Sequence, residues 1–429
     1  MTTAETIRPP GGAFAALSSR SYRIYLTGQS LANTGTWMQS IAQDWLIFDL
    51  THSSTAVGIT MALQFLPMLL LGLHTGALAD RVPKRRILLT TQTLNAAATA
   101  TLAAITVAGV TKAADVYGFA LVSGLIFAFD VPARQSFVTE VVPADRLRAA
   151  ISLTAAVFQA TRLIGPAIAS LLIVSVGTGW VFAVNAACYL GPTIGLLLLR
   201  PGDLRPAPAA DRARGTVKEA VRYVRGRPEV LWTIFLVGML GTFGLNFPVV
   251  LTAMAKTTFH GDASTYGLFN IVLGLGSAAG AVLAGAATRT RTRTIVGAAA
   301  VFGVLQAAAA LAPGILIFVV LLAAMGFVNL VCQAMANSSV QIAVDPQLRG
   351  RVMGLYMLVF IGGTPIGAPI VGAVTSHYGA RAGMLLCGVI PVLAAAVAAA
   401  ALAGRRRRVG ISRAGLANTG GIPVAAGRS

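Results

Sequence analysis

Apolar residues occur in twelve long runs, and short polar breaks, most of them basic, separate one run from the next. The runs match the roughly 20 residues that an α-helix needs to cross a lipid bilayer. They therefore predict twelve membrane-spanning helices, numbered spans 1 to 12 in chain order. The predicted spans are residues 24–48, 56–78, 87–110, 116–140, 149–176, 180–199, 230–254, 265–287, 295–312, 315–342, 352–376 and 382–403.

The composition excludes a soluble protein. Of the 429 residues, 56% are apolar and only 11% are charged, whereas roughly 25% of the residues in soluble domains are charged. A disulfide-stabilised secreted domain is excluded as well, because all three cysteines lie inside apolar runs. The predicted fold class is an all-α membrane protein with twelve transmembrane helices.

The basic residues are distributed unevenly between the two sides of this predicted bundle. Of the 33 lysines and arginines, 28 fall in breaks that share a side with both termini, and three fall in breaks on the other side. Since cytoplasmic loops carry the excess of basic residues, we predict a multi-pass protein of the cell membrane, the bacterial inner membrane, with both termini cytoplasmic. The net charge of +19 then indicates contact with anionic lipid head groups rather than with nucleic acid.

Two segments of similar length flank a basic stretch at the centre of the chain. Residues 22–199 and 229–403 each contain six predicted spans, and Pro166 and Pro369 occupy equivalent positions in the two segments. Six helices with the same orientation in each segment indicate a parallel duplication whose axis runs along the membrane normal. The sequence thus predicts two pseudo-symmetric six-helix bundles.

The remaining segments are predicted to lie on the cytoplasmic side. Residues 1–21 form an N-terminal segment, and residues 404–429 form a basic tail that is predicted to be disordered. Within the linker 200–228, residues 216–226 place four valines and alanines on one stripe. That pattern is typical of an amphipathic helix on the membrane surface. A solvated basic linker is the alternative.

A short loop after span 2 carries the sequence GALADRVPKR over residues 76–85. This loop resembles the signature G-x-x-x-D-R-x-G-R/K-R/K of the major facilitator superfamily, with Pro83 at the second glycine position. The resemblance implies that Asp80 helps to hold the cytoplasmic side closed, against the start of span 11 and a basic group near span 4. The residues implied in this gating loop are Gly76, Asp80, Arg81, Lys84 and Arg85.

Three further stretches indicate which branch of the superfamily the chain resembles. Residues 28–46 of span 1, residues 130–138 at the end of span 4 and residues 363–369, which open span 11, are similar to the enterobactin-exporter-like branch of the superfamily. This branch exports siderophores, antibiotics and other amphipathic compounds. The resemblance implies the major facilitator fold, in which spans 1, 4, 7 and 10 surround a central pathway.

Span 5 contains a Gly-Pro step that resembles the motif of drug/proton antiporters, although alanines replace the glycines that usually follow it. Such a step bends a helix and lets a neighbouring helix approach closely. The predicted helix-bending residues of spans 5 and 11 are Gly165, Pro166, Pro365, Gly367 and Pro369.

Charged residues within the spans are candidates for function. A charge at the bilayer centre costs at least about 2.5–3.5 kcal/mol, so it should face a cavity or a partner. Asp44 has no basic residue within one turn and is the better candidate for a proton carrier. Asp130 and Arg134 lie four residues apart on one helix face and can pair. The pair either braces the cytoplasmic gate or lets Asp130 exchange a proton, and Arg162 either braces the bundle or contacts a substrate anion.

Amide side chains supply most of the other polar groups within the spans. The candidates for lining a polar cavity, together with Arg134 and Arg162, are Gln39, Gln43, Gln135, Gln159, Asn246, Asn329 and Gln333. Each amide is equally suited to a hydrogen bond between helices. The second half carries no charge within its predicted spans. Its cavity wall is therefore predicted to be mostly apolar, which suits bulky amphipathic substrates.

Transport is the function class that these features favour. None of the four lysines follows a glycine, so the chain lacks a phosphate-binding loop, and it has no zinc-ligand cluster and no G-x-S-x-G motif. We therefore expect a transporter without metal or cofactor rather than an enzyme. The prediction is a monomeric, proton-coupled exporter of a small amphipathic substrate that works by alternating access. The alternatives are an uptake carrier or lysolipid flippase on the same fold, or a membrane sensor that no longer transports.

Overall fold

The computed structural model describes residues 15–79, 82–199, 202, 204, 217–286 and 292–418, and throughout these residues the regular structure is helical. Twelve helical segments correspond to the twelve predicted spans. Spans 1 to 5 are the helices Arg20–Thr51, Ser54–Ala79, Lys84–Val107, Ala113–Val141 and Leu147–Val176. Spans 8, 9, 10 and 12 are the helices Ala263–Ala286, Thr292–Ala310, Ile315–Ala343 and Ala380–Asn418.

Spans 6, 7 and 11 are interrupted. Span 6 consists of Thr178–Cys188 and Leu190–Leu198. Span 7 consists of Pro228–Met239, the π-helical turn Leu240–Gly244, Phe247–Ala253 and the π-helical turn Met254–Thr258. Span 11 consists of Pro346–Gly362 and Thr364–Tyr378.

The interruption of span 11 corrects one prediction. Residues 363–369 were expected to open the span, but they lie near its middle, both within the predicted bounds 352–376 and in the observed span, which begins at Pro346. Pro365 occupies the first turn of the second piece, where the missing N–H of proline leaves no hydrogen bond unmade.

Ten helical segments in the described part of the chain are long and apolar enough to cross a membrane. Spans 1 and 3 complete the twelve and are more polar. Span 1 packs against spans 2, 4, 5 and 6. The polar residues that it buries include Gln29, Asn33, Gln39, Gln43 and Asp44. A more polar helix is tolerated at this position because protein, and not lipid, surrounds it.

The spans form two halves, a first half of spans 1 to 6 and a second half of spans 7 to 12, so the predicted fold class is confirmed. The linker helix Val217–Gly226, the start of span 1 and the end of span 12 lie on one side, termed the linker face. The opposite side, termed the distal face, carries the loops between spans 1 and 2 and between spans 7 and 8.

The two halves contact each other through spans 2 and 11 and through spans 5 and 8. At the distal end of the first contact, the Ser376 hydroxyl oxygen accepts a hydrogen bond from the Thr55 backbone N–H at 3.0 Å. Close approach of the two helices depends on glycine. A Cβ atom at Gly58 would overlap the carbonyl of Ala368, and a Cβ atom at Gly372 would overlap the backbone of Thr55.

The described hydrogen bonds and ion pairs between the halves all lie toward the distal face. They join Ser53 and Thr55 to Ser376, Asp49 to Lys256, and Asp44 to Tyr266. Ion pairs near the linker face, within the described ranges, do not cross between the halves. The structure is therefore closed at the distal face.

The central linker contains the predicted amphipathic helix, Val217–Gly226, and this helix packs on the second half. Ala220 and Val224 are buried, at 0% and 3% exposure. Glu219 pairs with Arg351 at 3.0 Å, and the Tyr223 hydroxyl accepts a hydrogen bond from the backbone N–H of Asp345 at 3.1 Å. Ala220 and Val224 of its apolar stripe therefore pack on the second half.

The last helix differs from its expected end. It continues to Asn418, whereas a disordered tail was expected from Gly404. Arginine and alanine are good helix formers, and the next proline is Pro423, so residues 405–418 can continue the helix despite Gly410 and Gly415. Residues 419–429 lie outside the described part.

Replacing Gly58 by leucine is expected to open the distal face. Overpacking of a close contact costs about 1–3 kcal/mol, which corresponds to a roughly 5- to 150-fold shift between two states. The measurement is the rate at which maleimide labels a cysteine introduced at the buried Ser54, which is 4% exposed. The three native cysteines are buried and give a low background.

Gly118→Leu is the matched control, because a Cβ atom at Gly118 meets no atom within 4 Å. Labelling should accelerate in Gly58→Leu and stay unchanged in Gly118→Leu. Equal rates in the two variants would contradict the role of Gly58 in distal closure.

Candidate functional site

Asp44 lies where the two halves meet. Its side chain is 4% exposed, and one carboxylate oxygen accepts a hydrogen bond from the Tyr266 hydroxyl of span 8 at 2.9 Å. Tyr266 is fully buried, and its ring stacks on Trp45 with 6.4 Å between the centroids. The predicted proton carrier of span 1 is thus bound to the opposite half.

A charged cluster lies on the distal side of Asp44. The Lys256 ammonium group pairs with Asp49 and lies 4.8 Å from the centroid of the Trp45 ring. Lys256 belongs to the second π-helical turn of span 7, which corrects the expectation that the second half carries no charge within its spans. The helical segment extends to Thr258, beyond the predicted end at residue 254, because the lysine side chain can reach the membrane surface from the end of a helix.

The loop before span 8 determines where this helix begins, and so where Tyr266 lies. The Asp262 carboxylate accepts hydrogen bonds from the backbone N–H groups of Ser264 at 3.0 Å and Thr265 at 3.2 Å. Its pKa lies below the ordinary value for an aspartate, chiefly because the Ser264 hydroxyl donates to the ionised carboxylate and the two backbone N–H groups do so as well.

The predicted pair of Asp130 and Arg134 is present and lies entirely within the first half. Asp130 is 1% exposed and also accepts hydrogen bonds from the Thr91 hydroxyl at 2.8 Å and the Gln92 amide at 3.0 Å. Arg134 donates a further hydrogen bond to Asn33 at 3.2 Å. Because the carboxylate has three donors from spans 3 and 4, the geometry favours a bracing role over proton exchange.

Arg162 forms an aromatic and cationic patch with two neighbours, termed the Trp37 patch and made of Trp37, Phe158 and Arg162. The guanidinium carbon lies 5.6 Å from the centroid of the Trp37 ring, and Trp37 meets Phe158 edge to face at 5.8 Å. Gln159 is half-buried, Gln135 is exposed, and neither has a hydrogen bond to another described residue. The patch has both an apolar surface and a positive charge.

The predicted cavity amides of span 1 bind helices together instead. Gln39 accepts hydrogen bonds from Thr99 at 3.2 Å and from Asn185 at 2.5 Å, which joins spans 1, 3 and 6. The Gln43 amide donates to Gln64 of span 2 at 3.5 Å. These contacts correspond to the packing alternative that the sequence left open.

The predicted amides of the second half donate their hydrogen bonds within their own helices. Asn246 donates to the carbonyl oxygens of Thr242 at 2.7 Å and Phe243 at 3.0 Å, next to the interruption of span 7. Gln333 donates to Asn329 at 2.8 Å, one turn earlier in span 10. Asn246 therefore stabilises an irregular stretch of helix whose carbonyls lack their regular partners.

The first part of the gating loop, residues 76–79, ends the helix of span 2, whereas Asp80, Arg81 and the packing at Gly76 lie outside the described part. Lys84 pairs with Glu140 of span 4 at 3.0 Å. Arg85 donates to the carbonyls that end span 6, those of residues 196 and 197, at 2.9 and 3.3 Å. Both basic residues thus bind their own half.

The predicted helix-bending residues serve close packing. Span 5 is continuous through Pro166, and a Cβ atom at Gly165 would overlap the side chain of Trp37 in span 1. A Cβ atom at Gly367 would overlap the carbonyl of Thr242 in span 7, so the interrupted parts of spans 7 and 11 touch. Pro369 lies inside the second helix of span 11.

Sequence reasoning missed Tyr266, Trp45 and Lys256. For Tyr266 a signal was present, because its hydroxyl lies in a strongly apolar span and such a group requires a partner there. The partner itself could not be named, since it belongs to the other half of the chain.

Two six-helix halves joined by a central linker define the major facilitator fold. One solved structure with this fold is a bacterial homologue of the human lysosomal transporter Spinster, in an inward-facing and unoccupied conformation. It matches with a TM-score of 0.71 and 14% identity, over 88% of this chain and 96% of that chain. The family model for transmembrane secretion effectors matches residues 11–409, so the chain belongs to this family of the major facilitator superfamily.

Named relatives are similar over most of their length. The multidrug efflux pump Tap of Mycolicibacterium fortuitum is 28% identical over 84% of this chain and 92% of its own. The enterobactin exporter EntS of Citrobacter koseri is 24% identical over 75% of this chain and 77% of its own. The resemblance inferred from the motifs is confirmed, and the chain is a secondary active transporter rather than an enzyme.

Replacing Asp130 by asparagine is expected to destabilise the first half. The change leaves the Arg134 guanidinium without its counter-charge, and removing one partner of a buried ion pair costs about 3–5 kcal/mol. The measurement is the thermal unfolding midpoint of the purified protein in detergent.

Asp145→Asn is the control, because the Asp145 side chain is 55% exposed and, among the described residues, pairs with the neighbouring Arg146 alone. Exposed pairs contribute little to stability. If Asp130→Asn melted at the same temperature as Asp145→Asn, the bracing role would be wrong.

Proposed function

We propose that the chain is a proton-coupled exporter of amphipathic small molecules that works by alternating access. The observation that carries this proposal is Asp44, a buried carboxylate at the contact between the halves that forms no ion pair with any described residue. A carboxylate without a fixed cation can gain and lose a proton as its surroundings change. Relatives named as a multidrug efflux pump and an enterobactin exporter support this class of substrate and this direction of transport.

The linker face is proposed to be cytoplasmic, in the inner membrane of a bacterium, with both termini on that side. The excess of 28 basic residues over three supports this orientation. The arrangement that is closed at the distal face is then the inward-facing state. Substrate enters from the cytoplasm, and separation of the distal contacts releases it outside.

The Trp37 patch is proposed to contact the substrate. Trp37 and Phe158 offer apolar surface, and Arg162 offers a positive charge for an acidic group, as in a siderophore carboxylate or catecholate. Arg222 and Arg225 are exposed on the linker helix and are proposed to bind anionic lipid head groups. The transporter is proposed to act as a monomer and without nucleic acid.

Asp44→Asn is expected to abolish coupling, because an amide cannot carry the proton. A deletion strain is first tested for sensitivity to a panel of amphipathic antibiotics and for siderophore secretion, which identifies a substrate. Inside-out vesicles given a pH gradient should then accumulate that substrate with the wild-type protein and fail to do so with Asp44→Asn.

The matched control is Asp115→Asn, an exposed carboxylate at the distal start of span 4, which should transport as wild type. Gradient-driven accumulation by Asp44→Asn at the wild-type rate would remove Asp44 from this role. Accumulation in right-side-out vesicles instead would favour the uptake carrier, and no transport of any compound would favour the sensor.

Reporter fusions test the proposed orientation. A green fluorescent protein attached after Ser429 should fluoresce, because it folds in the cytoplasm. Alkaline phosphatase inserted at the loop of Gly109, between spans 3 and 4, should be active, because it needs the oxidising side. The opposite pattern of activities would reverse the orientation.

A further inference from the structure

The hydrogen bond between Tyr266 and Asp44 differs from the other described contacts between the halves. The links of Ser376 to Ser53 and Thr55, and of Lys256 to Asp49, are exposed. Water can replace their partners when the halves separate. Both residues of the Tyr266–Asp44 bond are buried, at 0% and 4% exposure, so this bond has no such replacement while the site stays dry.

No cation competes with Tyr266 for this carboxylate among the described residues. Lys256 of span 7 is paired with Asp49, one turn farther toward the distal face. On span 5, Arg162 lies beside Trp37, two turns away along span 1. The Asp130–Arg134 pair of span 4 lies beside Asn33, about three turns away, and the described parts of spans 2 and 6 carry no Asp, Glu, Lys or Arg.

We propose that Tyr266 is a positioning residue for proton coupling, whose hydroxyl holds the ionised Asp44 and so keeps the distal face closed until Asp44 is protonated or substrate binds. This inference rests on the proposed function, because it assigns to Asp44 the proton that drives export. Tyr266 itself neither carries the proton nor binds the substrate.

This hydrogen bond, termed the latch, differs in strength between the two protonation states of Asp44. A hydrogen bond to an ionised carboxylate is about twice as strong as one between neutral groups. Opening the distal face removes the Tyr266 hydroxyl from Asp44, so opening is unfavourable for the ionised form and much less so for the protonated form. Protonation therefore releases the latch, with the proton bound to the carboxylate of Asp44.

The latch has a specific use in an antiporter. If the empty, ionised carrier could open outward, pick up a proton, return and release it, protons would cross without substrate. Holding that form closed prevents the leak. Binding of substrate from the cytoplasm has to supply the free energy that opens the distal contact. Export of substrate and entry of protons are therefore coupled.

Tyr266→Phe tests the proposal, because phenylalanine keeps the ring that stacks on Trp45 and removes only the hydroxyl. Proteoliposomes without substrate should leak protons roughly 10- to 100-fold faster than wild type, the factor that a hydrogen bond to a charged group carries. The control is Tyr22→Phe, which removes a buried hydroxyl that donates to the Ala150 carbonyl at 2.8 Å within the first half. It should leave the leak unchanged.

A second readout follows the distal face directly in purified protein. Maleimide labelling of Ser54→Cys should accelerate from neutral to acid pH in the wild-type background, once it is corrected by the exposed Lys112→Cys for thiol chemistry. In Tyr266→Phe the labelling should already be fast at neutral pH and should change little with pH. In Asp44→Asn it should be fast at every pH.

The outcomes separate this proposal from the function on which it rests. If Tyr266→Phe matches Tyr22→Phe in both readouts while Asp44→Asn still loses coupling, the latch is wrong and the exporter stands. If Asp44→Asn transports with full coupling, both are wrong. A pH-independent distal face in the wild-type background would also overturn the latch.

Discussion

A polar group inside a bilayer must find its partner within the protein, because hydrocarbon offers none. This constraint accounts for the buried contacts of Asp130 and Gln39. Asp130 takes donors from Thr91, Gln92 and Arg134, and Gln39 takes two from neighbouring spans. Asp44 is the exception, because its described donor lies in the other half. Whether the Asp44 carboxylate has this hydrogen-bond donor therefore depends on how the halves are arranged.

Each half is braced separately near the linker face, which allows the halves to move as units. Lys84 and Arg85 bind spans 4 and 6 of the first half. The linker helix binds the second half through Glu219 and Tyr223. Rigid halves with their described polar links concentrated toward one face can rock around that contact, which is the movement that alternating access requires.

The sequence predicted those features that depend on one helix at a time. Apolar run lengths predicted the spans, and the four-residue spacing of Asp130 and Arg134 predicted their pair, because both follow from helix geometry. Contacts between distant segments were beyond it. The role of Gln39 in packing and the Tyr266 partner of Asp44 depend on which helices become neighbours. The start of span 11 was missed as well, because Pro346 begins that helix in a polar stretch that hydrophobicity does not mark.

The glycines between spans 2 and 11 have a consequence for how the resting balance of the molecule can evolve. At Gly58 and Gly372 the two backbones lie against each other, so any side chain added there pushes the two helices apart. Single substitutions at these sites can shift the balance in one direction only, away from distal closure. A lineage that needs a tighter distal closure has to acquire it from residues elsewhere, because substitutions at these two sites can only weaken that closure.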